Sequence, residues 1–239
     1  MLFKKNKNYI NRKNVIVVDK ENNDVITESF NRLKDNILFF NADNKIKVIQ
    51  ISSSTACEGK TTVISNLAVT LASNGLKVLL VEGDLRSPRV HRPFNLDNES
   101  GIYDYMIQNK KLEDIVKHTS YNVDVITRGD KISNPSAVIS SLKFRNLINT
   151  AKETYDYVLI DCPPVLDISD YIHISALTDG ALFCVAYGKT KKHQVKEAIN
   201  LLKQTQINIL GTVYTMVDTK ENGYYTSGHY SNYYLKNKE

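Results

Sequence analysis

Ser54-Thr55-Ala56-Cys57-Glu58-Gly59-Lys60-Thr61 lies between a short β-rich run, Lys47 to Ser52, and a helical pattern from about Thr61 to Asn74. A GxxxxGK[ST] string carried between a strand and a helix is the context of a phosphate-binding loop. Backbone N–H groups of such a loop and of the helix start point at phosphate oxygens, and Thr62 extends the cradle into the helix. Lys60 supplies a point charge to the β- and γ-phosphates, and Thr61 offers its hydroxyl to Mg²⁺. Gly59 lets backbone pass close to phosphate. The first position is Ser54 rather than glycine, which costs some loop freedom.

Two further stretches share this chemistry. Val78 to Val81 is continuously apolar, as a strand covered on both faces should be, and it delivers Glu82, Gly83, Asp84 and then Arg86 at its C-terminal end. Tyr157 to Ile160 is a second such strand, ending in Asp161-Cys162-Pro163-Pro164. In open α/β sheets ligands bind at the carboxyl ends of the strands. Glu82, Asp84 and Asp161 are thus expected to converge on the phosphate loop, where they hold a hydrated Mg²⁺ and orient an attacking hydroxyl.

Around these motifs strand and helix alternate. A helix over Glu28 to Phe40 carries Phe30, Leu33, Ile37 and Phe40 on one side, and Gly75 stands where the phosphate-loop helix needs a left-handed cap. Further strands are expected at Val123 to Thr127, Ala181 to Tyr187 and Leu210 to Val217, with helices near Lys143 to Thr154 and His193 to Gln204. The pattern predicts an α/β fold of the P-loop NTPase type, a mostly parallel sheet with helices on both faces. We divide the chain into a basic arm (1–20), a nucleotide-binding domain (21–217) and a flexible tyrosine-rich tail (218–239).

The 239 residues are 42% hydrophobic and 24% charged, the balance of an ordinary globular protein. The first twenty residues hold six of the 31 Lys and Arg and one of the 26 Asp and Glu, so the arm accounts for the whole formal charge of +5. That leaves no basic body for nucleic acid and a short arm suited to an acidic partner or anionic surface. The longest apolar run, Ala181 to Tyr187, is far short of the roughly 18 to 20 residues of a membrane helix, and no apolar segment follows the arm, so a cytoplasmic protein is expected. Cys57, Cys162 and Cys184 are dispersed and read as reduced thiols.

Taken together, the phosphate loop, Glu82 to Pro88, Asp161 to Pro164, Asn134-Pro135-Ser136 with Ser140, Ser141 and Phe144, and the tyrosine-rich end resemble the bacterial tyrosine kinases of the CpsD/CapB family of capsule and exopolysaccharide assembly. The resemblance runs from about Glu28 to the C-terminus. It implies an ATP- and Mg²⁺-dependent kinase that phosphorylates tyrosines, its own tail included, and regulates polysaccharide synthesis and export. It also implies a membrane-embedded activator of the polysaccharide co-polymerase type, a cognate tyrosine phosphatase, self-association, and a place at the inner face of the membrane through the activator. By position, Lys60 acts on phosphate, Thr61, Asp84 and Asp161 on the metal, and Asp84 or Glu82 accepts the tyrosine proton. The family usually has aspartate where Glu82 stands and asparagine near the adenine where Thr215 stands. Its Glu-x-x-Arg-x-x-Arg helix motif appears here as Glu28, Asn31 and Lys34.

Tyr224, Tyr225, Tyr230, Tyr233 and Tyr234 fall in the last sixteen residues, among Gly and Ser, and are the expected phosphoacceptors. Two alternatives share the fold. A ParA/MinD-type ATPase carries a signature lysine five residues before the loop lysine, where this chain has Thr55. A catalytically silent nucleotide-binding subunit of an exporter is hinted at only by Glu82 and Thr215.

Overall fold

A computed structural model describes residues 16–18, 25–43 and 45–217. Helices α1 (Val25–Phe40) and α2 (Lys60–Ala72) flank strand β1 (Val48–Ser53), and β2 (Val78–Glu82) follows. The chain continues through α3 (Ile102–Ile107), α4 (Leu112–Ile115), β3 (Lys117–His118), β4 (Val123–Ile126), α5 (Pro135–Ile139) and α6 (Leu142–Thr154). It ends with β5 (Tyr157–Asp161), α7 (Asp170–Ser175), β6 (Gly180–Ala186), α8 (Lys192–Gln204) and β7 (Ile209–Thr215).

The strands form one seven-stranded sheet in the order β3-β4-β2-β5-β1-β6-β7. Only β3, at one edge, runs antiparallel to its neighbour; the other pairs are parallel. Alternate residues of each strand face opposite layers. Val78 and Leu80 pack with Ile49, Ile51, Leu159, α2 and Ile37 of α1, whereas Leu79 and Val81 pack with Val158, Ile160 and the Phe144–Ala151 face of α6. A smaller cluster seats Ala198 and Leu202 of α8 on Phe183 and Val185. Both faces of β1, β2 and β5 are therefore covered, which is why Val78 to Val81 and Tyr157 to Ile160 read as unbroken apolar runs, while β1 buries Gln50 within its run.

Two expectations need adjustment. Phe40 was expected on the buried side of α1, yet it is 64% exposed and Phe39 80%, so the buried stripe of the helix ends at Ile37. Helix α2 stops at Ala72, so Gly75, at φ 83°, turns the chain two residues beyond the cap rather than at it. Among the described residues no helix is long and apolar enough to cross a membrane. Of the basic arm only residues 16–18 are described, with Ile16 and Val18 packed against the core and the Val17 N–H donating to Asn66 Oδ1 at 2.7 Å. The charged residues of the arm and the tyrosine tail lie outside the described residues.

Candidate active site

Strand β1 ends in the middle of the sheet and hands the chain to the phosphate loop. Lys60, the first residue of α2, lies back along the loop with Nζ 3.0 Å from Ser53 Oγ, and that hydroxyl in turn donates to the Thr55 carbonyl at 2.8 Å. Gly59 precedes the helix at φ 86°, a left-handed conformation that glycine adopts without strain. A Cβ there would also stand 3.2 Å from the Thr215 side chain. Cys57, exposed, holds a left-handed conformation at φ 59°. Ser54 is fully buried with its Oγ unpartnered, and Ala56 is exposed.

Thr61 and Asp161, two of the residues expected at the metal, lie side by side. Thr61 donates its hydroxyl to Asp161 Oδ2 at 2.6 Å, while Asp161 Oδ1 is buried without a partner. Burial raises the Asp161 carboxyl to about 6, against the pull of the Lys60 ammonium and the Thr61 hydroxyl. Among the described residues no three His, Cys, Asp or Glu side chains are grouped to hold a metal by themselves. A hydroxyl beside a carboxylate with one orphaned oxygen is instead the donor set of Mg²⁺ that arrives with nucleotide phosphates. The residues fit that ion.

Glu82 behaves differently from the expectation that three acids point at the loop. It is 1% exposed, and its two oxygens accept the backbone N–H groups of Asp84 at 3.1 Å, Arg89 at 2.6 Å and Val90 at 3.0 Å. Burial first, and then the Asp161 charge, push its carboxyl well above the ordinary range. The side chain therefore shapes the 84–90 loop. Asp84, partly exposed, accepts from the Ser87 N–H at 2.9 Å through Oδ1, and among the described residues Oδ2 has no protein donor. Asp84 is held close to Asp161 because Glu82 and Asp161 are register partners and the Gly83 N–H bonds the Asp161 carbonyl at 2.9 Å.

Beyond Asp84 the Arg86 guanidinium donates to Ser136 Oγ at 2.8 Å, and Ser136 donates to the buried Asp170 at 2.5 Å. This link joins the loop after β2 to α5 and α7. The rest of the Asn134–Phe144 motif is architectural: Asn134 and Ser141 cap α5 and α6, and Phe144 is fully buried. Thr215 places its hydroxyl 2.8 Å from the Glu58 carbonyl, on the phosphate loop itself. Sequence reasoning missed Ser136 as part of the site, and also missed Asp170, Lys189 and Thr190.

A protein-family model described as an AAA domain matches residues 46–210. The tyrosine-protein kinase YwqD of Bacillus subtilis (strain 168) is 32% identical over 229 residues, 94% of this chain and 96% of that protein. The tyrosine-protein kinase etk of Escherichia coli (strain K12) is 30% identical over 191 residues, 80% of this chain and 26% of that longer protein. The solved kinase domain of the E. coli enzyme superposes with a TM-score of 0.79 at 29% identity, covering 87% of this chain and 84% of that one. The septum site-determining protein MinD of Pyrococcus horikoshii, solved with Mg-ADP, is less similar, with a TM-score of 0.61 at 28% identity over 70% of this chain and 69% of its own. With its phosphate loop, paired acidic strand ends and this likeness along nearly its whole length, the chain belongs to the bacterial tyrosine-protein kinase family and is a protein-tyrosine kinase.

Proposed function

We propose that the enzyme transfers the γ-phosphoryl group of Mg·ATP to tyrosine hydroxyls of its own C-terminal cluster, and that this modification regulates polysaccharide synthesis and export. The observation that carries the site assignment is the Thr61–Asp161 pair with its unpartnered Asp161 oxygen. Thr61 and Asp161 would hold Mg²⁺, which would supply neutralisation of the phosphate charge. Lys60 offsets charge on the β- and γ-phosphates, and the N–H groups of the loop and of α2 orient them. Asp84 accepts the proton of the incoming tyrosine, since its second oxygen is open whereas both oxygens of Glu82 are occupied by backbone.

Phosphorylation runs between copies. The chain leaves the sheet at β7, the edge far from β2, and would have to double back across β6, β1 and β5 to reach its own Asp84, so a neighbour's Asp84 is the easier target. The phosphoacceptors are Tyr224, Tyr225, Tyr230, Tyr233 and Tyr234, and each phosphate adds about −1.5 to −2 charge, enough to loosen an assembly that depends on tail docking. A membrane-embedded activator, a cognate phosphatase and a place at the inner membrane face complete the reading. Its support is the E. coli relative, in which the matching region is 26% of a longer kinase.

The test mixes Lys60→Met protein with an active chain truncated after Asp218. Mass spectrometry should find phosphate on Tyr224 to Tyr234 of the inactive chain only. An unmodified inactive chain, with wild type labelling itself at a rate independent of its concentration, overturns transfer between copies.

A further inference from the structure

We propose that Glu58, Lys189, Thr190 and Thr215 are positioning residues for the nucleotide, clamping the phosphate loop to the β6–β7 edge of the sheet so that its N–H groups face the phosphates. The proposal rests on the reading of Ser54 to Thr61 as the phosphate loop.

In a trans peptide the carbonyl of one residue and the N–H of the next point in opposite directions. Lys189 Nζ, from the turn after β6, donates to the Cys57 carbonyl at 2.8 Å. Thr215 Oγ1, at the end of β7, donates to the Glu58 carbonyl at 2.8 Å. With both carbonyls pulled toward the sheet edge, the N–H groups of Glu58 and Gly59 are turned to the other side. Among the described residues neither donates to a backbone acceptor.

The Glu58 side chain works from beneath. It is 1% exposed and sits in a loop meant for anions, where its own charge repels phosphate. Its hydrogen bonds explain the placement. Oε1 accepts from Thr190 Oγ1 at 2.6 Å and from Thr55 Oγ1 at 3.0 Å, and Oε2 accepts the Thr55 N–H at 3.3 Å. Thr190 is fixed in turn by the Ala186 N–H, which donates to its hydroxyl at 3.1 Å. Cys57 is a non-glycine residue at φ 59°, a conformation that persists only where surrounding contacts over-determine it. The clamp supplies those contacts. Without it the loop has to be ordered by the nucleotide, and that ordering cost reappears as weaker binding.

Calorimetric titration of the full chain with Mg·ADP tests the clamp in Lys189→Met, Thr190→Val, Thr190→Ser and the Lys189→Met/Thr190→Val pair. Each single loss is expected to raise Kd about tenfold, the scale of one hydrogen bond, and the pair further. Thr190→Ser, which keeps the hydroxyl, should bind as wild type. KM for ATP should rise in parallel while kcat at saturating ATP stays within about twofold, the pattern of lost nucleotide binding rather than lost transition-state contacts. Wild-type Kd in the pair overturns the clamp, and so does weak binding in Thr190→Val that Thr190→Ser fails to restore. Wild-type protein that shows no binding of Mg·ADP overturns the assignment of the phosphate loop itself.

Discussion

Glu82 accepts three backbone N–H groups, and an aspartate in its place is one methylene too short to reach them all. Restoring the residue usual in the family is therefore expected to harm this enzyme. Glu82→Asp should lower the urea midpoint by the equivalent of about 1–3 kcal/mol, the cost of leaving buried donors unpaired, and slow tyrosine phosphorylation with it. An unchanged midpoint counts against the loop-shaping role. Asp161 makes a second prediction, through pH. Its carboxyl rises from 3.8 in the unfolded chain to about 6 in the fold, and Glu82 shifts the same way. At these two positions the native state thus holds protons that the unfolded chain has already lost, so their contribution to stability is fully present below the unfolded value and is lost as pH climbs toward and past 6. Melting temperatures from pH 4 to 8 should show that decline, and it should be shallower in Asp161→Asn. What was legible at this scale was residue type at a strand end. The direction of the Glu82 carboxylate was not, because it is set by the backbone of residues 84–90, whose path no local pattern announces.

The site depends on β2 and β5 ending level with each other, and Gly83 sits at that junction, its N–H donating to the Asp161 carbonyl. A Cβ at Gly83 would meet the Asp161 carbonyl at 2.7 Å and Ile160 Cγ2 at 2.8 Å. Gly83→Ala should accordingly cost about 1–3 kcal/mol by overpacking and move Asp84 relative to Asp161, so that stability and phosphorylation rate fall together. Gly75 is the control, with open space around it but φ 83°. Gly75→Ala should cost about 1 kcal/mol in urea unfolding, as expected for left-handed backbone alone, with the rate unaffected. Equal rates in the two variants would show that the β2–β5 junction does not govern the chemistry. The long elements were readable because burial imposes a period on them: both buried faces of β2 and β5, and the stripe of α6. The helices α3, α4, α5 and α7 have four to six residues each, too few for a period to emerge, and β3 has two. They escaped notice, and with them the Ser136–Asp170 link.

Across the whole molecule, the fold class and the residues around Thr61 and Asp161 were legible from the motifs, whereas the clamp on the loop was not. Lys189 and Thr190 each lie 132 residues from the loop atoms they touch, and nothing near them in sequence marks the distance as closed. The sheet order closes it. Strand β1 emerges early in the chain, yet its two neighbours are β5 and β6, both more than a hundred residues later. A ribosome that has released β1 and the phosphate loop has released a strand with no partners, and such non-local pairings are slow and leave edges exposed until they form. The nascent chain cannot build its nucleotide site until β6 has emerged, and cannot complete it until Thr215 has. ATP binding thus becomes a report that synthesis has reached the root of the tyrosine tail, so chains terminated short of β7 are expected to be poor kinases as well as chains without the tyrosine cluster.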